Sequence, residues 1–93
     1  MDLPVNYKKL HYTKKKEVRE EYIKLQNKKC HYCKESIYGE PAEFVMNKKI
    51  KKYLFPKGFF DWKIHLHHSH DTGLTVGVVH SHCNAVLWQY HGE

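Results

Sequence analysis

Cys30 and Cys33 are separated by two residues, and far along the chain His80 and Cys83 repeat the same gap. Two ligands on a tight turn reach one tetrahedral ion, so a second pair with the same gap completes a four-ligand shell. In a chain of 93 residues this matters more than any propensity. A domain of that size buries only about 60 to 65% of its unfolded surface, and a metal is a common supplement to so small a core. The four residues therefore read as a Cys3His structural Zn2+ site, with no open position for substrate and with metal binding supplying folding energy. His82 is an alternative to His80, but the matched gap favours His80. The competing use of Cys30, Cys33 and Cys83 is as three buried apolar thiols. Disulfides are disfavoured, because three Cys cannot all pair.

The rest of the composition points to one globular domain over 1–93. Apolar residues at 41% and aromatics at 14% exceed what a disordered tail carries. No apolar run approaches the roughly 20 residues of a membrane span, so no membrane is expected. The start, MDLPVNYKKL, lacks the apolar stretch and cleavage site of a signal peptide, which makes a cytoplasmic location the default.

Lys14 to Asn27 reads as a helix, capped by Thr13, with Val18, Tyr22 and Leu25 forming one apolar stripe. It leads into the knuckle at 30–33, and Gly39-Glu-Pro41 marks a turn. From Ala42 to Phe55 a loose helical pattern surrounds a lysine run, and helix is the expectation. After the break at Pro56-Lys-Gly58, Phe60 to Leu66 reads as a strand, and Asp71-Thr-Gly73 as the turn that pairs it with a second strand, Leu74 to Val79. His82 to Tyr90 suits a short helix whose inward face is Cys83, Leu87 and Tyr90. The expected class is α+β: an N-terminal helix and a zinc-stabilised ββα core at about 60–91.

Nine His against three Cys leave imidazoles that the zinc site does not use. His65, His67, His68 and His70 crowd one strand end. In an extended chain His68 and His70 share one face, and His65 and His67 the other. A neutral imidazole takes a proton from water near pH 7, and a neighbouring one holds a metal. A solvated His-rich loop is the plainer alternative.

The order His67-His-Ser-His70-Asp-Thr-Gly73, then Val76-Gly-Val-Val-His80-x-x-Cys83-Asn84, with the earlier Cys-x-x-Cys, resembles the HNH (ββα-metal, His-Me finger) endonucleases, especially the phage recombination endonuclease VII-like branch. The resemblance covers Cys30 to about Trp88. It implies that His68 is a general base activating water for attack on a DNA phosphodiester. It further implies that His67 and Asn84 hold a catalytic divalent metal, that His70 supports catalysis, and that the products carry 5′-phosphate and 3′-hydroxyl ends. His67 stands where the family has Asp, which favours Mn2+, Ni2+ or Zn2+ over Mg2+, and His80 stands where it has Cys. Convergence of His67 and His68 on one phosphate requires the strand to end or bulge there. The resemblance also admits a phage-encoded protein acting in its host cell. A zinc-stabilised, non-catalytic nucleic-acid-binding module is the principal alternative.

The net charge of +6 rests on Lys rather than on the single Arg. It suits backbone contact with DNA better than base reading, though a solubilising surface has the same composition. Lys48, Lys49, Lys51, Lys52 and Lys57 are the first candidates for phosphate contact, and Lys14-Lys-Lys16 the second. Trp88 and His91, at i+4 and i+7 from Asn84, face the candidate active site or the core, with the core favoured for Trp88. A monomer or a homodimer fits a chain of this size.

Overall fold

A computed structural model describes residues 2–92 of the chain. The architecture is α+β, as the pattern predicts. Helices α1 (Tyr12–Leu25), α2 (Glu43–Met46) and α3 (Ser81–His91) surround one antiparallel pair, β1 (Ile64–His68) and β2 (Thr75–His80). From β1 onward the order is strand, turn, strand, helix. No helix among the described residues is long and apolar enough to cross a membrane.

Helix α1 starts two residues before the expected Lys14. Its cap is His11, whose Nδ1 accepts from the Thr13 amide at 3.4 Å, so Thr13 lies inside the first turn. Asn27 and Lys28 turn left-handed at φ 54° and 61°, and the Lys28 amide closes on Ile23 O at 2.8 Å, ending the helix. Val18 and Tyr22 are buried as the stripe requires, but Leu25 is 63% exposed. The inward place passes to Gln26, because the helix ends beside the outer edge of β2, where backbone groups need partners rather than an alkyl chain. Gln26 Oε1 accepts from the Val78 amide at 2.9 Å, and its Nε2 donates to Val78 O at 3.0 Å. The His31 amide donates to the same carbonyl at 2.9 Å. One edge of the hairpin is thus closed by a side chain and the knuckle.

Helix over 42–55 is found only in the single turn of α2, followed by a 3-10 turn at Lys52–Leu54. Lysines at 48, 49, 51 and 52 leave no continuous apolar stripe to bury. The segment is held by α3 instead: Gln89 Nε2 and Tyr90 Oη donate to Lys49 O at 3.0 and 2.6 Å. The first strand also begins later than Phe60. Gly58, at φ 84°, turns the chain into a 3-10 turn at Phe59–Asp61 before β1 starts.

β2 is buried on both pleat faces, with Val78 and Val79 fully enclosed. Around them pack Val18 and Tyr22 of α1, Leu66 of β1, Val86 and Leu87 of α3, and Ile37 and Val45. Tyr22 Oη lies 2.8 Å from Thr75 Oγ1, which satisfies two polar groups inside the core. Tyr90, expected on the inward face of α3, is 46% exposed and engages chiefly through its hydroxyl. The N-terminal segment is tied across the hairpin: the Thr75 amide donates to Val5 O at 2.9 Å, and the Tyr7 amide to Gly73 O at 2.8 Å.

Candidate functional site

Two groups of side chains stand apart in the fold. The first is Cys30, Cys33, His80 and Cys83, all buried, with ligand atoms within 4.8 Å of one another. The knuckle is a short hairpin in which the Ile37 amide donates to Lys28 O at 2.8 Å and the Lys34 amide to Cys30 O at 3.1 Å. His80 ends β2, and Cys83 lies in the first turn of α3. His80 Nε2 is 2.8 Å from Ser36 O, an acceptor only, so this nitrogen carries the proton and Nδ1 presents its lone pair.

That Nδ1 lies 3.5 Å from both Cys33 Sγ and Cys83 Sγ. Ligand bonds of about 2.0 and 2.3 Å at a tetrahedral angle give an N···S edge of about 3.5 Å, so the donor set fits an ion such as zinc. The Cys30 thiol is held well below its ordinary value, chiefly by the hydrogen bond with Cys83, while the same bond, with burial, pushes Cys83 up. His82, the alternative to His80, packs against the Phe60 ring at 5.1 Å instead. This group can hold a structural metal.

The second group lines a cleft of about 670 Å³ that runs along β1. Its lining includes His65, His67, His68 and His70 from β1 and the turn beyond it, Asn84 and Trp88 from α3, and Lys15 and Arg19 from α1. His67 pairs with Gly77, but His68 pairs with Thr75, so the register slips between the two imidazoles. The extra residue at this slip is Val76, on β2, and both imidazoles border the cleft. His67 is buried, and it also borders a smaller cavity with Tyr32 and His91.

His68 stacks on Tyr7, with centroids 4.1 Å apart and planes 6° from parallel, and lies 5.3 Å from the His70 ring. Lys15 Nζ sits 4.3 Å from the Tyr7 ring centroid. Burial holds the His68 imidazole below its ordinary value, with His70 and His67 adding to the effect. It is therefore neutral near pH 7, as a base must be. His65 is also lowered, chiefly by burial and against hydrogen bonds that favour its charged form. Its Nε2 lies 2.9 Å from Phe59 O and its Nδ1 3.0 Å from Asn84 Nδ2. A carbonyl only accepts, so Nε2 carries the proton, Nδ1 accepts from the amide, and Asn84 Oδ1 is the end left for another partner.

Among the described residues, neither Asp nor Glu lines the cleft. Lys15, from the second basic run, and the single Arg line it, whereas Lys48, Lys49, Lys51, Lys52 and Lys57 do not. Lys48 and Lys52 lie over the Tyr90 and Phe60 rings at 5.0 and 5.6 Å. Trp88 is 42% exposed and lines the cleft rather than the core, while His91 pairs with Tyr32 Oη at 3.2 Å. Sequence reasoning missed Arg19, although it follows Lys15 by four residues on one helix face. It also missed Tyr7, for which no local pattern existed. No family model, curated protein or solved structure matches this chain.

Proposed function

We propose that the chain is a metal-dependent DNA endonuclease of the HNH (ββα-metal) type, with a structural zinc at the Cys3His group. The observation that carries this reading is the cleft itself: His67, His68, His70 and Asn84 line one open space, apart from the closed buried group. A structural metal alone gives no reason to collect them there.

In this reading neutral His68 takes a proton from water as the water oxygen attacks phosphorus and the bond to the 3′ oxygen breaks. The departing 3′ oxygen takes a proton from solvent, so a 5′-phosphate and a 3′-hydroxyl result. Tyr7 fixes the plane of the base, and His70, beside it, stabilises charge near the scissile phosphate. His67 and Asn84 would hold the divalent metal, which when bound supplies charge stabilisation at phosphate and leaving-group oxygens. An imidazole and an amide suit Mn2+, Ni2+ or Zn2+ better than Mg2+. Lys15 and Arg19 supply the positive field for the phosphate backbone. One cleft per chain cuts one strand, so cleavage of both needs a homodimer or a second encounter.

That no carboxylate among the described residues lines the cleft favours a second reading, a zinc-stabilised module that binds nucleic acid without cutting it. Nicking of supercoiled plasmid in Mg2+, Mn2+, Ni2+ and Zn2+ separates the two. Nicking by the wild type that falls about 10²- to 10⁴-fold in His68→Ala supports the nuclease. Equal cutting by both proteins, or no cutting with any metal, leaves only the binding module.

A further inference from the structure

Trp62 is 75% exposed at the end of the Phe59–Asp61 turn, and no ring contact among the described residues engages its indole. Trp88 meets Phe55 at 5.3 Å and 67°, edge to face. Both line the cleft that contains His68. Lys15 and Arg19 stand four residues apart on α1 and line the same space, which no acidic side chain among the described residues lines. Flat apolar surfaces beside two cations suit a ligand that has a π-face and a phosphate in each repeat.

We infer that the cleft takes an unpaired stretch of DNA, its bases stacked on Trp62 and Trp88 and its phosphates on Lys15 and Arg19. The inference rests on the phosphodiester reading above and names its substrate class. In duplex DNA each base is already stacked and paired, so only backbone remains for Lys15 and Arg19. An indole gains a base only where the duplex is open or the strand is single.

The test is fluorescence titration of the zinc-loaded full chain with a labelled oligodeoxynucleotide of about 12 nucleotides, single-stranded or annealed to its complement. Zinc is limited to about one equivalent per chain, matching the Cys3His group, and no other divalent metal is added, so that hydrolysis does not enter. Single strand is expected to bind at least tenfold tighter than duplex. Trp62→Ala should weaken single-strand binding about 5- to 150-fold, with little change for duplex, and Trp62→Phe should restore most of the loss. Lys15→Ala should weaken both forms. Equal affinity for the two forms, or Trp62→Ala acting on both alike or on neither, overturns the inference. A protein that binds single strands but never nicks DNA fails only the nuclease reading, and one that nicks but binds both forms equally fails only this one.

Discussion

Asn84 donates from Nδ2 to Nδ1 of His65 at 3.0 Å, and His65 in turn holds Phe59 O through Nε2 at 2.9 Å. The first turn of α3 is thereby tied to β1 through a neutral imidazole, and the Asn84 amide keeps one orientation. His65 is then a positioning residue. Substitution of such an outer partner lowers metal affinity or activity about 10- to 100-fold. His65→Phe should keep the Cys3His metal, raise the divalent-metal concentration needed for half-maximal nicking, and leave the rate at saturating metal nearer the wild type. A uniform fall in rate at all metal concentrations would sink this role.

The buried Cys3His group and the cleft were unequally legible in the sequence. Equal gaps at Cys30, Cys33, His80 and Cys83 are local spacing, which survives any tertiary arrangement, and all four converge. The hairpin and α3 were legible for the same reason, since alternation and turn chemistry are local. Leu25 and Gln26 show the limit: helical periodicity assigns the apolar residue inward, but the neighbour at that spot is the β2 edge, which selects the amide. Tyr7 reaches His68 only because backbone bonds near Val5 and Gly73 tie the N-terminal segment to the hairpin. No local pattern encodes that contact.

If the Cys3His group holds a structural metal, its removal should unfold the chain rather than merely silence it. The core contains few large side chains, and the four ligands join the knuckle to β2 and α3. Cys83→Ser and His80→Ala are expected to bind less than one zinc per chain and to lose helical circular dichroism, and chelation should do the same to the wild type. His82→Ala should retain its zinc, because His82 packs on Phe60 outside the group.

Gly77 sits where Gln26 reaches the β2 edge. A Cβ there would lie 2.5 Å from Gln26 Oε1 and 3.3 Å from His31 Cβ. Gly77→Ala should therefore expel the Gln26 amide and leave the Val78 amide without its acceptor, at a cost of about 1–3 kcal/mol. Denaturant unfolding of the double-mutant cycle checks this. The cost of Gly77→Ala should shrink when Gln26→Ala is already present, and strict additivity would refute the clamp.

In the nuclease reading, with His68 as the base, the pH dependence of nicking follows from the sign of the His68 shift. Burial, then His70 and His67, lower its value, so the protonated, inactive form accumulates only below the ordinary imidazole range near 6.5. The acid limb of the rate profile should lie below that value and fall tenfold per pH unit beneath it. His70→Ala removes the largest charge contribution, so the limb should move upward in pH, toward the ordinary value. An unmoved limb in His70→Ala, or a limb above 6.5 in the wild type, would contradict His68 as the base.

Tyr7 gives the final prediction, because it couples a remote segment to the proposed base. Its ring lies parallel to His68 at 4.1 Å, with Lys15 Nζ 4.3 Å from the ring centroid. The stack confines the imidazole plane without taking either ring nitrogen, so it limits rotation while leaving the base free to accept a proton. Loss of such confinement can cost up to about 10²-fold in rate through misplacement of about 1 Å. Tyr7→Ala should lower the nicking rate at saturating metal while zinc content and thermal stability stay close to wild type, since Tyr7 is only partly buried. Tyr7→Phe keeps the ring and should retain most of the rate. If Tyr7→Phe falls as far as Tyr7→Ala, the hydroxyl rather than the stack is responsible, and orientation of His68 by Tyr7 is refuted.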